Sequence, residues 1–217
     1  FFMSENNSLF GNLVFSKVLK ESSAGKKMAY LAVFTALSVV TNAFIEIKLF
    51  DLQFSLTIFF SALIGVFLGG TCGFVVCLLG DFIGYVLNSW GQFYMPWVGL
   101  STGFFAFFAA IIFTNIREDS YKTVLIKTAL YTLVTFLICT VAVNSTGFYL
   151  YNKYVTGFFK TFEEYSKAKF GGDTGFFVYL IYRLFFKGQI WNSVANYTLL
   201  FVLLPALKRV KFFSDKF

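Results

Sequence analysis

Histidine is missing from this chain of 217 residues, and charge is scarce, with 13% of residues Asp, Glu, Lys or Arg. Without histidine the commonest general base and metal ligand is gone. A soluble globular domain carries nearer ~25% charge, so a water-soluble fold is excluded. Cysteine occurs three times and proline twice. Cys72, Cys77 and Cys139 fall in apolar runs without Cys-x-x-Cys spacing, so they read as small buried hydrophobes, not as a redox or zinc pair. No nucleophile stands beside a base, and neither paired acids nor a metal-ligand cluster is visible. The chain is therefore expected not to be an enzyme and to carry no metal or cofactor.

What fills the sequence is apolar: 58% hydrophobic and 22% aromatic, with mean hydropathy +0.72. The net charge of +7 is no argument for nucleic acid, because basic residues in membrane proteins set orientation and touch anionic lipid. The expected fold class is all-α: a polytopic membrane protein, a compact bundle of six transmembrane helices.

The stretch from Asp51 to Gly103 organises that expectation. Between Asp51 and Asp81 lie 29 uncharged residues, and another 35 separate Asp81 from Arg117. One span needs ~20 apolar residues, so the first run must be divided, and Gly69-Gly70-Thr71 is the natural break. Expected spans are Met28 to Ile45, Leu52 to Gly69, Cys72 to Leu87, Val98 to Asn115, Thr128 to Gly147, and a last one from Gly188. Glu46 to Asp51 and Arg117 to Lys127 read as charged turns. Phe148 to Gly175 reads as a long connection holding a short interfacial helix, with Gly171-Gly172-Asp173 a flexible break. Residues 1–27 are polar and basic, without a cleavable signal peptide, and read as a cytoplasmic tail, partly an amphipathic surface helix. Residues 28–209 would be the six-helix transmembrane domain and 210–217 a second cytoplasmic tail. Gly-x-x-x-Gly recurs at Gly65/Gly69, Gly80/Gly84 and Gly99/Gly103, a spacing that lets helix backbones approach closely in lipid. Six spans put both termini on one side, and with the ends inside 11 of the 18 basic residues lie inside. That bias predicts a multi-pass cell-membrane protein with both termini cytoplasmic.

Asp81 is the sharpest single residue. A carboxylate at a helix centre costs ~2.5–3.5 kcal/mol on insertion scales, so it faces a partner or a cavity. It is a packing lock, a ligand-orienting group or a proton relay, and sequence leaves the three open. Arg183 offers a planar fork for a carboxylate, or else snorkels to headgroups. Gln189, Asn192 and Asn196 share one face of the last helix. They either face the Thr35, Ser38, Asn42 stripe across a cavity or hydrogen-bond to it. Phe93, Tyr94 and Trp97, around Pro96, either stack on a flat heterocycle or form an interfacial belt.

Four features carry a family resemblance. They are Ala32-x-x-x-Ala36 on the first helix, and the segment from Gly65 ending Gly80-Asp81-Phe82-Ile83-Gly84. The others are Gly91-Gln92-Phe93-Tyr94-Met95-Pro96-Trp97-Val98-Gly99-Leu100-Ser101 and Arg183-Leu184 before the last span. With these, the chain resembles the substrate-binding S component of an energy-coupling-factor (ECF) vitamin transporter, most like the folate family. The likeness covers Lys26 to Arg209. It departs at Gly70-Thr71, where the family usually has Gly-Pro, and at Tyr182, where it has proline.

The resemblance implies a six-helix bundle that binds its vitamin at the outer face. It also implies docking through Ala32 and Ala36 on a transmembrane coupling subunit driven by two cytoplasmic ATPase subunits, which use the ATP. The bundle then topples within the membrane lipid to release its cargo. Expected substrate-binding residues are Asp81, Phe93, Tyr94, Trp97, Arg183, Gln189 and Asn192, and the expected cargo is folate or a related pterin. The alternatives are another cargo (riboflavin, thiamine, a queuosine precursor) or a non-transporting membrane scaffold.

Overall fold

The computed structural model describes residues 13–49, 52–88, 93–113, 120–156 and 160–207. A short helix α1 (Lys17–Glu21) precedes α2 (Ala24–Ala43). An antiparallel hairpin of β1 (Glu46–Leu49) and β2 (Leu52–Ser55) then leads into α3 (Thr57–Leu68) and α4 (Gly70–Leu87). After α5 (Pro96–Ile112) comes the long α6 (Tyr121–Val155). The chain closes with α7 (Lys160–Phe170), α8 (Phe176–Phe186) and α9 (Gln189–Leu207). The all-helical bundle expected from composition is present, with the hairpin as its one β element among the described residues.

The break at Gly69 is where the sequence placed it. Gly69 adopts φ 96°, a left-handed value that costs a side-chain-bearing residue strain, and α3 and α4 fold back against each other there. Gly65 lets α3 lie directly on α5, since a Cβ at Gly65 would overlap the Ala106 backbone. Gly80 and Gly84 do the same for α4 against Ser38 and Asn42 of α2. The main core joins Ile58, Phe59 and Ala62 of α3, Phe105 and Ala109 of α5, Tyr131 of α6, and Tyr197 and Leu200 of α9.

Several expected boundaries move, each for a physical reason. The second span is not helical from Leu52. Leu52-Gln53-Phe54-Ser55 pairs with Glu46-Ile47-Lys48-Leu49 in register Glu46↔Ser55, both stretches alternating polar and apolar with the strand period of two. Helix α3 has 12 residues and so reaches ~18 Å, short of a ~30 Å hydrocarbon core. Non-helical backbone at such depth needs partners inside the protein, and α9 supplies them. Asn192 Oδ1 accepts from the Ser55 amide at 3.0 Å, Asn196 Oδ1 from Phe59 at 3.0 Å, and Asn196 Nδ2 donates to the Ser55 carbonyl at 2.7 Å.

The fifth span starts at Tyr121, not Thr128, capped by Ser120. It continues for 35 residues, or ~50 Å, so helix replaces the loop expected from Phe148. Gly171-Gly172 is a tight turn (φ 63° and 90°) ending α7, not a loose break. The first span begins at Ala24, and residues 13–21 are docked and not a free tail. Ser16 caps α1 and bonds the Phe67 and Leu68 carbonyls, while Leu19 joins Ile64 and Leu68 in a second core. Asp51, Gly91, Gln92, Asn115, Arg117 and the expected tails 1–12 and 210–217 lie outside the described residues.

Candidate functional site

The site collects at the hairpin end of the bundle. Asn88, closing α4, donates to the Ala43 carbonyl at 2.6 Å, so α2 and α4 finish side by side. The hairpin, residues 93–95 before α5, the end of α6, α7, α8 and the start of α9 gather there.

Asp81 is 8% exposed. Its carboxylate accepts a hydrogen bond from the Tyr94 hydroxyl, and both groups press on Gly99. The Tyr94 ring is held between Phe82 and Tyr85, each 5.2 Å away. The Asp81–Tyr94 contact staples the aromatic segment before α5 onto α4. Pro96 occupies the first turn of α5, where its missing amide hydrogen costs nothing. This fixes Trp97 one residue on.

The Trp97 ring lies over Gly147 of α6, where a Cβ would overlap it. It meets Phe148 edge-on at 5.7 Å and 78°, and Tyr151 at 5.3 Å. From α8, the Arg183 guanidinium covers the face of the same Phe148 at 3.9 Å. Arg183 Nη2 donates to Asn144 Oδ1 at 3.4 Å, and Tyr179 is a further hydrogen-bond partner. Phe136–Ser145 and Tyr182–Phe186 are wound as π-helix, a rare winding that recurs at functional sites. Asn144 and Arg183 each come from one of these segments.

Two buried donors here have no acceptor among the described residues, Trp97 Nε1 and Arg183 Nε. Around them stands an aromatic shell, in which Tyr149, Phe162, Tyr179 and Tyr182 pack α6, α7 and α8 together. Lys153 donates to the Tyr149 hydroxyl at 3.2 Å, and Lys187 lies 6.0 Å from the Tyr182 ring. Lys160, Lys167 and Lys169 of α7 are exposed.

The expected site residues thus divide. Trp97 and Arg183 converge on Phe148. Tyr94 and Asp81 pair with each other, and Asn192 is bonded to the hairpin backbone. Phe93 is 77% exposed, and Gln189 is half-buried. The polar stripe of α2 does not face that of α9, for Ser38 and Asn42 pack on Gly80 and Gly84 of α4. Sequence reasoning missed Asn144, Phe148 and Tyr151, assigned to a span end and a loop. Their spacing of four and three residues puts them on one helical face, a signal visible once the helix is known to continue.

On the far side of α2, Ala29, Ala32 and Ala36 are exposed along one face. With this arrangement in view, one family model matches, that of the ECF-type riboflavin transporter, S component, over residues 22–165. The chain belongs to that family. The S component is accordingly an integral membrane protein and a transport subunit, not an enzyme. It binds a vitamin and works with an energy-coupling module. Among solved structures, FolT bound with folic acid is similar at 19% identity and TM-score 0.49, covering 80% of this chain and 92% of that one. No curated protein matches.

Proposed function

We propose that this S component captures folate or a related pterin from the outer face of the cell membrane. The observation that carries the reading is the Trp97–Phe148–Arg183 cluster, a flat aromatic setting around a half-buried guanidinium. Among the described residues that guanidinium meets the neutral side chains of Asn144, Phe148 and Tyr179. A half-buried cation with its Nε shut off from water and no acidic partner among the described residues suits a ligand rich in acceptors. The lysines at the same end, Lys153, Lys160, Lys167, Lys169 and Lys187, suit a cargo whose tail carries carboxylates, and the resemblance of the Gly91–Ser101 segment points the same way. Riboflavin is the second reading, favoured by the family whose model matches; its ribityl tail is uncharged.

Charge bias puts the hairpin end outside and both termini in the cytoplasm, in a multi-pass arrangement of six spans. Ala32 and Ala36 lie uncovered on α2, which suits close approach of a transmembrane coupling subunit. Two cytoplasmic ATPase subunits would supply the energy, and the S component itself would use no cofactor. Extracting the protein from a vitamin-rich host and identifying the retained molecule by mass spectrometry tests the cargo. Folate or a pterin is expected; bound flavin would decide for the second reading, and no bound vitamin would reject both. Salt gives an independent check. Folate affinity should fall as ionic strength rises, because exposed charge pairs are screened, whereas riboflavin affinity should not.

A further inference from the structure

We infer that Trp97 and Arg183 read one and the same edge of the cargo, an edge carrying two adjacent hydrogen-bond acceptors on a flat ring. The inference rests on the vitamin-binding reading above and deepens it. The indole Nε1–H and the guanidinium Nε–H are both buried and both without an acceptor among the described residues. Buried polar groups are nearly always paired, and leaving a donor unpaired is costly. Two such donors on residues that share one aromatic ring are unusual. Both side chains pack on Phe148, Trp97 in a T-shaped pair at 5.7 Å and Arg183 over its face at 3.9 Å, and we take the two N–H groups to open on one ligand edge.

Neither donor is free to seek water. Trp97 is pinned by Gly147 and Tyr151, and Arg183 by Asn144 and Tyr179. The donors are therefore set before any cargo arrives, so little ordering cost is left at binding. Each group can offer only hydrogen at these atoms, since indole Nε1 and guanidinium Nε have no acceptor capacity. A ligand edge with donors would leave four hydrogens facing one another. The pteridine and isoalloxazine rings share the edge that fits, a C4 carbonyl oxygen beside the N5 lone pair. One site would then serve either heterocycle, and the lysines at the mouth would sort the tails. On this assignment Phe148, Asn144 and Tyr151 are positioning residues that hold the donor pair.

The test changes one acceptor on the ligand and leaves the protein intact. Titration calorimetry on the detergent-solubilised full chain measures folic acid against its 4-amino analogue, in which a donor replaces the carbonyl. It also measures riboflavin against 5-deazariboflavin, in which C–H replaces N5. For whichever parent binds, the analogue should bind about ten-fold or more weakly. In Trp97→Phe and in Arg183→Lys, which lacks the Nε–H but keeps its charge, the gap between parent and analogue should shrink. Parent and analogue binding alike to the unmodified protein would overturn the inference while leaving the vitamin-binding reading standing. So would an undiminished gap in both variants. If neither parent binds, the folate-or-riboflavin reading fails and this inference with it.

Discussion

Asn196→Leu is the most demanding test of how α9 supports the hairpin end. Asn196 is fully buried and hydrogen-bonds Phe59 N, Ser55 O and Asn192 O at 3.0, 2.7 and 2.9 Å, with a longer contact to Asn192 Oδ1 at 3.3 Å. Leucine keeps the branched outline of four side-chain heavy atoms, with bulkier methyl groups and no donor or acceptor. The substitution strands the Phe59 amide and the Ser55 carbonyl, both belonging to the switch from strand to helix, where no intrahelical partner exists. Each buried unsatisfied group costs ~1–3 kcal/mol, so the loss should be ~2–6 kcal/mol. For a chain of this size ~1 kcal/mol shifts Tm by ~2–4 °C, which makes the expected drop roughly 5–20 °C. Asn192→Leu strands only the Ser55 amide, bonded at 3.0 Å, and should cost about half as much. Thermal unfolding of the detergent-solubilised protein, followed by circular dichroism, measures both. A drop below 2 °C for Asn196→Leu, or a larger one for Asn192→Leu, would refute the claim that these amides replace missing backbone partners.

Three further outcomes follow from the geometry. In Tyr94→Phe the buried Asp81 carboxylate loses its hydrogen-bond donor, which costs ~1.5–3 kcal/mol, whereas Asp81→Leu with Tyr94→Phe removes both groups; the double variant should melt higher than Tyr94→Phe alone, and a lower melt would reject the lock. Ala32→Leu with Ala36→Leu adds bulk to an exposed face, so cargo binding should stay within about two-fold while uptake in cells is lost; normal uptake would remove this face from the coupling contact. A membrane-impermeant thiol reagent applied to whole cells should label Lys160→Cys and spare Lys122→Cys if the proposed orientation, with α7 outside and the start of α6 inside, holds; labelling of Lys122→Cys from outside would reverse the orientation.

Composition and hydropathy were enough for the class of fold, because in lipid every backbone group must be satisfied within the chain and helices do this locally. Gly69 marked the turn between α3 and α4 in advance, since a left-handed residue at a tight reversal is a local requirement. The sequence also singled out Trp97, Arg183, Tyr94 and Asp81, because aromatic and charged side chains are conspicuous against 58% hydrophobic residues.

What it could not give was their pairing. That Asp81 meets Tyr94, and that Trp97 and Arg183, 86 positions apart, share Phe148, depends on how α4, α5, α6 and α8 pack. The extent of α6 was hidden for a related reason. Residues 148–155 carry tyrosines, asparagine and lysine that read as a polar connection, and they stay helical by packing Phe148, Tyr149 and Tyr151 against α5 and α8. The alternation at Glu46–Leu49 and Leu52–Ser55 was legible but too short to outweigh a long apolar run. It became a hairpin because two asparagines on α9, 137 residues further along, hold the backbone that a helix would have satisfied by itself. Local periodicity determines which segments can be helices; partners distant in sequence decide where each helix begins, and which side chains it brings to the site.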